Sequence, residues 1–177
     1  MLVEVSIESI RVSLISQARV VILKDVDSDR YLPIWIGQFE AEAIMVTLQE
    51  MEVARPLTHD LLKNVILSMG GQVEQVVVTE LRDDVFYARI IVEAHGQRLE
   101  IDSRPSDALA LAVRVRAPIF IDSTVMDKAA VHPEAEMTNE EAPAGAAAGA
   151  ADLGAFEDFV DSLDLDDLEG SEDNPSD

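Results

Sequence analysis

Leu32-Pro33-Ile34-Trp35-Ile36-Gly37-Gln38-Phe39-Glu40-Ala41 is the stretch where the chain changes its hydrophobic period. Tyr31–Ile36 alternates as a strand does. After Gly37, residues Phe39, Ala43, Val46 and Met51, with Ile44 and Leu48 beside them, follow helical spacing through about Met51. The same junction returns 67 residues later: Leu32 meets Leu99, Ile34 meets Ile101, Glu40 meets Asp107, Ala41 meets Ala108, Ala43 meets Ala110 and Val46 meets Val113. A strand end, an acidic residue and a helix face that coincide in one register predict an internal duplication of a β-β-β-α unit.

Upstream, Val3, Val5 and Ile7 alternate with polar neighbours, and Ile10, Val12 and Leu14 do so again after a shift in phase. Val20–Leu23 is a short apolar run and Asp25–Asp29 a turn, so Leu2 to about Ile36 reads as three strands. Arg55-Pro56-Leu57 breaks the first helix. Thr58 is the expected N-cap of a second helix over His59–Met69, which Gly70-Gly71 ends. In the second unit Val73–Leu81 and Val85–Val92 are β-like around Arg82-Asp83-Asp84, and Arg98–Ile101 follows the His95-Gly96-Gln97 turn. Pro105 then opens a helix to about Val115, Pro118–Ile121 is a closing strand, and a short polar segment comes next. The expected fold is α/β of the α+β type. Duplicated β-β-β-α units, about 2–70 and 71–130, form a mainly antiparallel sheet with helices packed on it, within a domain spanning 1–132.

Charge marks off the remainder. The chain has 177 residues, 48% of them apolar, and carries 35 acidic against 13 basic side chains, net −22. Residues 1–132 hold 20 acidic and all 13 basic residues, net −7, whereas 133–177 hold 15 acidic residues and no Lys or Arg. Ala144–Ala151 is of low complexity, so 133–177 reads as a linker and disordered acidic tail. Within it Phe156, Phe159, Val160 and Leu163 recur at helical spacing, which points to a short amphipathic helix at 155–168 that docks on a protein partner. The plainer alternative is a solubilising tail. The absence of cysteine excludes a disulfide framework, a thiolate zinc site and a cysteine nucleophile. No apolar run approaches the roughly 20 residues of a membrane span, and the N-terminus lacks the basic and apolar regions of a signal peptide. The expectation is therefore a soluble, cytoplasmic protein without a membrane partner.

Three stretches depart from what a core or a surface requires. Gly37-Gln38-Phe39-Glu40 starts a helix, where free N–H groups favour an anion and Glu40 complements the dipole. Arg55-Pro56-Leu57-Thr58-His59-Asp60 holds the one histidine beside both a hydroxyl and a carboxylate, the pieces of a general acid or base with its orienting partner. Adjacent helical residues point about 100° apart, so His59 and Asp60 need not meet. Asp102-Ser103-Arg104-Pro105-Ser106-Asp107 offers an arginine fork for an oxyanion and hard carboxylate oxygens for a divalent cation. Helix capping accounts for each of these stretches as well. There is no GxxxxGK[ST] loop, GxGxxG fingerprint, GxSxG elbow or HExxH, and His95 and His132 have no ligand-like spacing to His59, so no zinc site is expected.

Leu32-Pro33-Ile34-Trp35-Ile36-Gly37 with Glu40-Ala41, Arg55-Pro56-Leu57-Thr58-His59-Asp60-Leu61, Thr79-Glu80-Leu81 with Val85-Phe86-Tyr87, and Ser103-Arg104-Pro105-Ser106-Asp107-Ala108 together resemble the bifunctional nuclease family, the DNase/RNase domain. The resemblance covers about Leu2 to Ile121. It implies a fold of two three-stranded repeats plus helices, association as a homo-oligomer, and a nuclease acting on RNA and DNA. On that reading His59, Asp60, Glu40 and Asp107 are the catalytic candidates, and Arg55, Thr58, Arg104, Ser106 and Gly37 bind substrate. Glu40, Asp102 and Asp107 are the candidates to hold Mg²⁺ or Mn²⁺. Charge argues the other way, because nucleic-acid affinity rests on Lys and Arg. A local basic groove, with Arg114 and Arg116, would have to outweigh the acidic field. The competing reading is a non-catalytic oligomeric adaptor or regulatory module that binds an anionic ligand or a protein, with the tail docking or folding back to inhibit.

Overall fold

Two antiparallel meanders share one sheet in the computed structural model, which describes residues 1–12 and 18–132. The expectations for Leu14 and for everything in 133–177 lie outside the described residues. The first meander is β1 (Leu2–Val12), β2 (Arg19–Asp25) and β3 (Tyr31–Ile36), followed by α1 (Gln38–Leu48) and α2 (Thr58–Ser68). The second is β4 (Gly71–Arg82), β5 (Val85–Ala94) and β6 (Gln97–Ser103), followed by α3 (Pro105–Val115), β7 (Ile119–Asp122) and α4 (Ser123–Ala129). Strand order is β3-β2-β1-β7-β4-β5-β6. β7 joins the halves, antiparallel to β1 and parallel to β4; every other pairing is antiparallel.

Local chemistry explains most of these elements. The phase shift in β1 is a bulge: its register against β2 jumps between Ile7 and Ser9, which lets Val3, Val5, Ile7 and Ile10 all reach the core side. Asp83 and Asp84, and then His95 and Gly96, have positive φ, as two-residue hairpin turns require. α1 and α3 begin and end 67 residues apart at both ends, so the two halves repeat one element order.

Three boundaries differ from the sequence expectation. α1 stops at Leu48 rather than about Met51. Glu50 takes a left-handed φ of 51°, its N–H donates to Thr47 O (3.2 Å), and the Met51 N–H donates to Val46 O (2.9 Å), which closes the helix as a Schellman motif. α2 is capped at Leu57, not Thr58: the Leu57 N–H donates to Asp60 Oδ2 at 2.8 Å, so Asp60 does the capping and Thr58 becomes the first helical residue. The polar segment after β7 is a helix, α4, whose start is capped by Asp122 accepting from the Thr124 N–H (2.9 Å) and hydroxyl (2.7 Å).

The core lies between the sheet and α3. Ala108, Leu109, Ala110, Leu111 and Ala112 are all buried, as in a helix enclosed on every side, and the alanines admit close neighbours. α1 and α2 each pack on α3, and α3 lies over β4 and β5. That placement breaks the repeat's symmetry. Leu32 and Ile34 of β3 are buried, while their counterparts on β6, Leu99 and Ile101, stay 43% and 44% exposed because α3 leaves that edge uncovered. Among the described residues no helix is long and apolar enough to cross a membrane.

Two substitutions test this packing. Glu50→Gly removes the left-handed penalty on a side-chain-bearing residue and is expected to raise stability by about 0.5–1 kcal/mol, read as a higher Tm. Leu109→Ala, at a fully buried position, is expected to cost about 2–5 kcal/mol in denaturant unfolding.

Candidate active site at the helix starts

Glu40 and Asp107 occupy the third position of α1 and α3, where a carboxylate complements the helix dipole. The residue capping α1 is Gly37; its counterpart in the repeat, capping α3, is Arg104. Arg104 spans both helix starts: Nη2 donates to Glu40 Oε1 at 2.6 Å and Nε donates to Asp107 Oδ2 at 2.7 Å. Gly37 leaves room for the Glu40 carboxylate that folds back over the start of α1: a Cβ there would meet the end of that side chain and push it aside, off Arg104.

α2 joins from the side. His59 is the only buried residue of α2, and its Nε2 lies 3.1 Å from Asp107 Oδ1. The two oxygens of Asp107 are thus shared between an arginine and a histidine. Asp60 points elsewhere. Its Oδ1 accepts from Arg114 Nε at 2.7 Å while Oδ2 caps Leu57. The Arg114 side chain is only 3% exposed and also donates from Nη1 to Ala110 O (2.7 Å); its Nη2 is buried with no partner among the described residues. Asp107 and Arg114 stand two turns apart on α3 and grip neighbouring residues of α2. His59 and Asp60 therefore do not form a dyad with each other.

The electrostatics follow from these contacts. Burial pushes the Asp107 carboxyl up, but hydrogen bonds from Arg104 and His59 outweigh it and hold the group below its usual range. Asp60 is likewise lowered: burial opposes ionisation, while the Leu57 N–H and Arg114 favour it more. Arg104 is held more firmly protonated by its bonds to Asp107 and Glu40.

The other expected residues fall around this cluster or outside it. Ser106 is buried in the first turn of α3. Arg55 and Thr58 are exposed, and neither side chain has an ion pair or hydrogen bond among the described residues. Asp102 is exposed on β6 opposite Arg89 and forms no metal-binding group with Glu40 and Asp107. Among the described residues no three His, Asp or Glu side chains converge as a metal would need, because the Arg104 guanidinium lies between the two carboxylates. The donors as placed do not form a complete Mg²⁺ or Mn²⁺ site. Arg114 is not part of a basic groove: it is enclosed and spent on Asp60. A lone arginine in the apolar run of α3, two turns from Asp107, was the available signal for that role.

Asp60→Asn should loosen α2 and lower stability at pH 7 by about 1–2 kcal/mol. Its lowered carboxyl stabilises the fold above the ordinary carboxylate range, and that contribution is lost as pH falls through the folded-state value below it. The difference between wild type and variant should therefore narrow in acid, which unfolding curves at neutral pH and at about pH 3 would reveal.

Comparison with known proteins agrees with the motifs. The family model for the bifunctional nuclease domain matches residues 21–134. The chain is 36% identical over 168 residues to an uncharacterized protein of Mycobacterium tuberculosis, an alignment covering 95% of this chain and 99% of that protein. It is 28% identical over 109 residues to Bifunctional nuclease 1 of Oryza sativa subsp. japonica, covering 59% of this chain and 33% of the relative. Against Bifunctional nuclease 1 of Arabidopsis thaliana it is 30% identical over 94 residues, covering 51% and 29%. This chain thus spans about a third of the plant proteins. With motifs, fold and matched span in agreement, the chain belongs to the bifunctional nuclease domain family.

Proposed function

We propose that this protein hydrolyses phosphodiester bonds of RNA and DNA at the start of α3, with His59 as general base and acid. The observation that carries the reading is the His59–Asp107–Arg104–Glu40 chain of contacts across three helix starts. An ionised Asp107 accepts from Nε2–H, so the neutral ring keeps its lone pair on Nδ1. That nitrogen takes a proton from the attacking water as the new P–O bond forms, and returns it to the leaving oxygen as the old bond breaks. Arg104 retains Nη1, without a partner among the described residues, for a non-bridging oxygen, and Arg55 supplies a second cation. Thr58, Gly37 and Ser106 remain substrate-binding positions at the same helix starts. Glu40 orients Arg104. Asp60 serves as a positioning residue, acting through α2. Self-association of the chain belongs to the same reading and is favoured by the exposed apolar residues of α2.

A second reading, an adaptor that binds an anion or a protein without turnover, is favoured by one observation. Arg104 and Arg114 are already committed to carboxylates, and the chain is net −22. The two readings separate in one assay: hydrolysis of labelled RNA and single-stranded DNA with Mg²⁺, Mn²⁺ or a chelator, using wild type, His59→Ala and Asp107→Ala purified identically. A nuclease should lose about 10²–10⁴-fold in rate in either variant. Equal rates in all three preparations would remove the catalytic role, and binding without turnover would leave the adaptor.

A further inference from the structure

α2 is amphipathic in the wrong direction for a helix that serves only its own domain. Leu57, Leu61, Val65 and Met69 recur every fourth residue, which sets them in one line along α2 and its flanks. They are 37%, 58%, 43% and 68% exposed, and His59 is the only residue of α2 that is buried. Four large side chains in a row leave several hundred Å² of apolar surface, more than scattered surface leucines would. This is the scale of the apolar centre of a standard interface, which covers about 800 Å² per partner.

The charge around the stripe indicates what covers it. Met51–Met69 carries two acidic residues, Glu52 and Asp60, and two basic ones, Arg55 and Lys63, so this segment is neutral in a chain of −22. Along the stripe itself, Leu57–Met69, Asp60 and Lys63 cancel, so it offers a nucleic acid or a strongly charged peptide no net field, while Arg55 lies ahead of it with the helix-start site. Two copies of this chain, which repel elsewhere, meet least repulsion here. A straight apolar stripe is also self-complementary about a two-fold axis.

We propose that this face pairs α2 with α2 of a second copy, antiparallel, so that Leu61 packs on Val65 and Leu57 on Met69 across the axis. The proposal rests on the reading that the chain self-associates and assigns the surface. It also gives the contact a role at the site. α2 holds His59 against Asp107 while packing on its own domain mainly along α3 and β4. A second copy clamps the outer side of α2 and steadies His59.

The test is the mass of the full chain in solution by analytical ultracentrifugation, with hydrogen exchange of the α2 amides. Wild type should sediment as a dimer or a multiple of one. Leu61→Asp should weaken that association at least about tenfold, a cost of about 1.4 kcal/mol, with unchanged circular dichroism and faster exchange in α2. Val65→Lys should do the same, and an equal mixture of the two variants should reassociate through the new Asp–Lys pairs. Ile101→Asp, on the exposed edge strand, should leave the mass unchanged. A wild-type monomer would overturn both self-association and this surface. An oligomer that survives Leu61→Asp, or falls apart with Ile101→Asp alone, would overturn the surface and leave self-association standing.

Discussion

One guanidinium holds two helix starts together. The repeat brings Glu40 and Asp107 to equivalent positions at adjacent helix starts, and two carboxylates so placed repel unless a cation separates them. Arg104 is that cation, and because it takes one oxygen from each, Asp107 keeps its other oxygen for His59. α1, α3 and α2 are thereby linked through one guanidinium and two carboxylates. The arrangement orients more than it stabilises. Arg104 is 66% exposed, and ion pairs in such surroundings contribute at most about 1 kcal/mol. Stability comes instead from the apolar burial of α3 against the sheet.

The two halves repeat one element order but not one use. Gly37 and Arg104 occupy the same position in the two units, one leaving room for a carboxylate and the other supplying the charge that binds it. After α1 the chain adds α2; after α3 it adds β7 and α4. So only one histidine arrives at the helix starts, and it bonds to Asp107 rather than Glu40. A repeated element order thus gathers one such cluster, not two. The same asymmetry buries Leu32 and Ile34 while leaving Leu99 and Ile101 at the surface.

The family-level reading and the charge balance pull against each other, and the geometry shows where they meet. Of the cations once counted toward a nucleic-acid groove, Arg114 is enclosed and neutralised by Asp60. Of the cations assigned to phosphate, Arg104 keeps an exposed outer edge and Arg55 is exposed. A nuclease built this way would grip phosphate with few contacts, and its binding would depend weakly on salt.

Periodicity alone determined the strands, the two matched helices and their 67-residue offset, because alternation and helical spacing are properties of local backbone geometry. It also located the acidic starts of α1 and α3 and the histidine between them. It could not say that Asp60 caps Leu57 and anchors Arg114, that Arg104 bridges Glu40 to Asp107, or that α2 turns its apolar line outward. Those outcomes were decided by how α2 and α3 cross. A carboxylate's partner is whichever cation packing brings within about 3 Å, and neighbours in sequence are pointed apart by the helix itself.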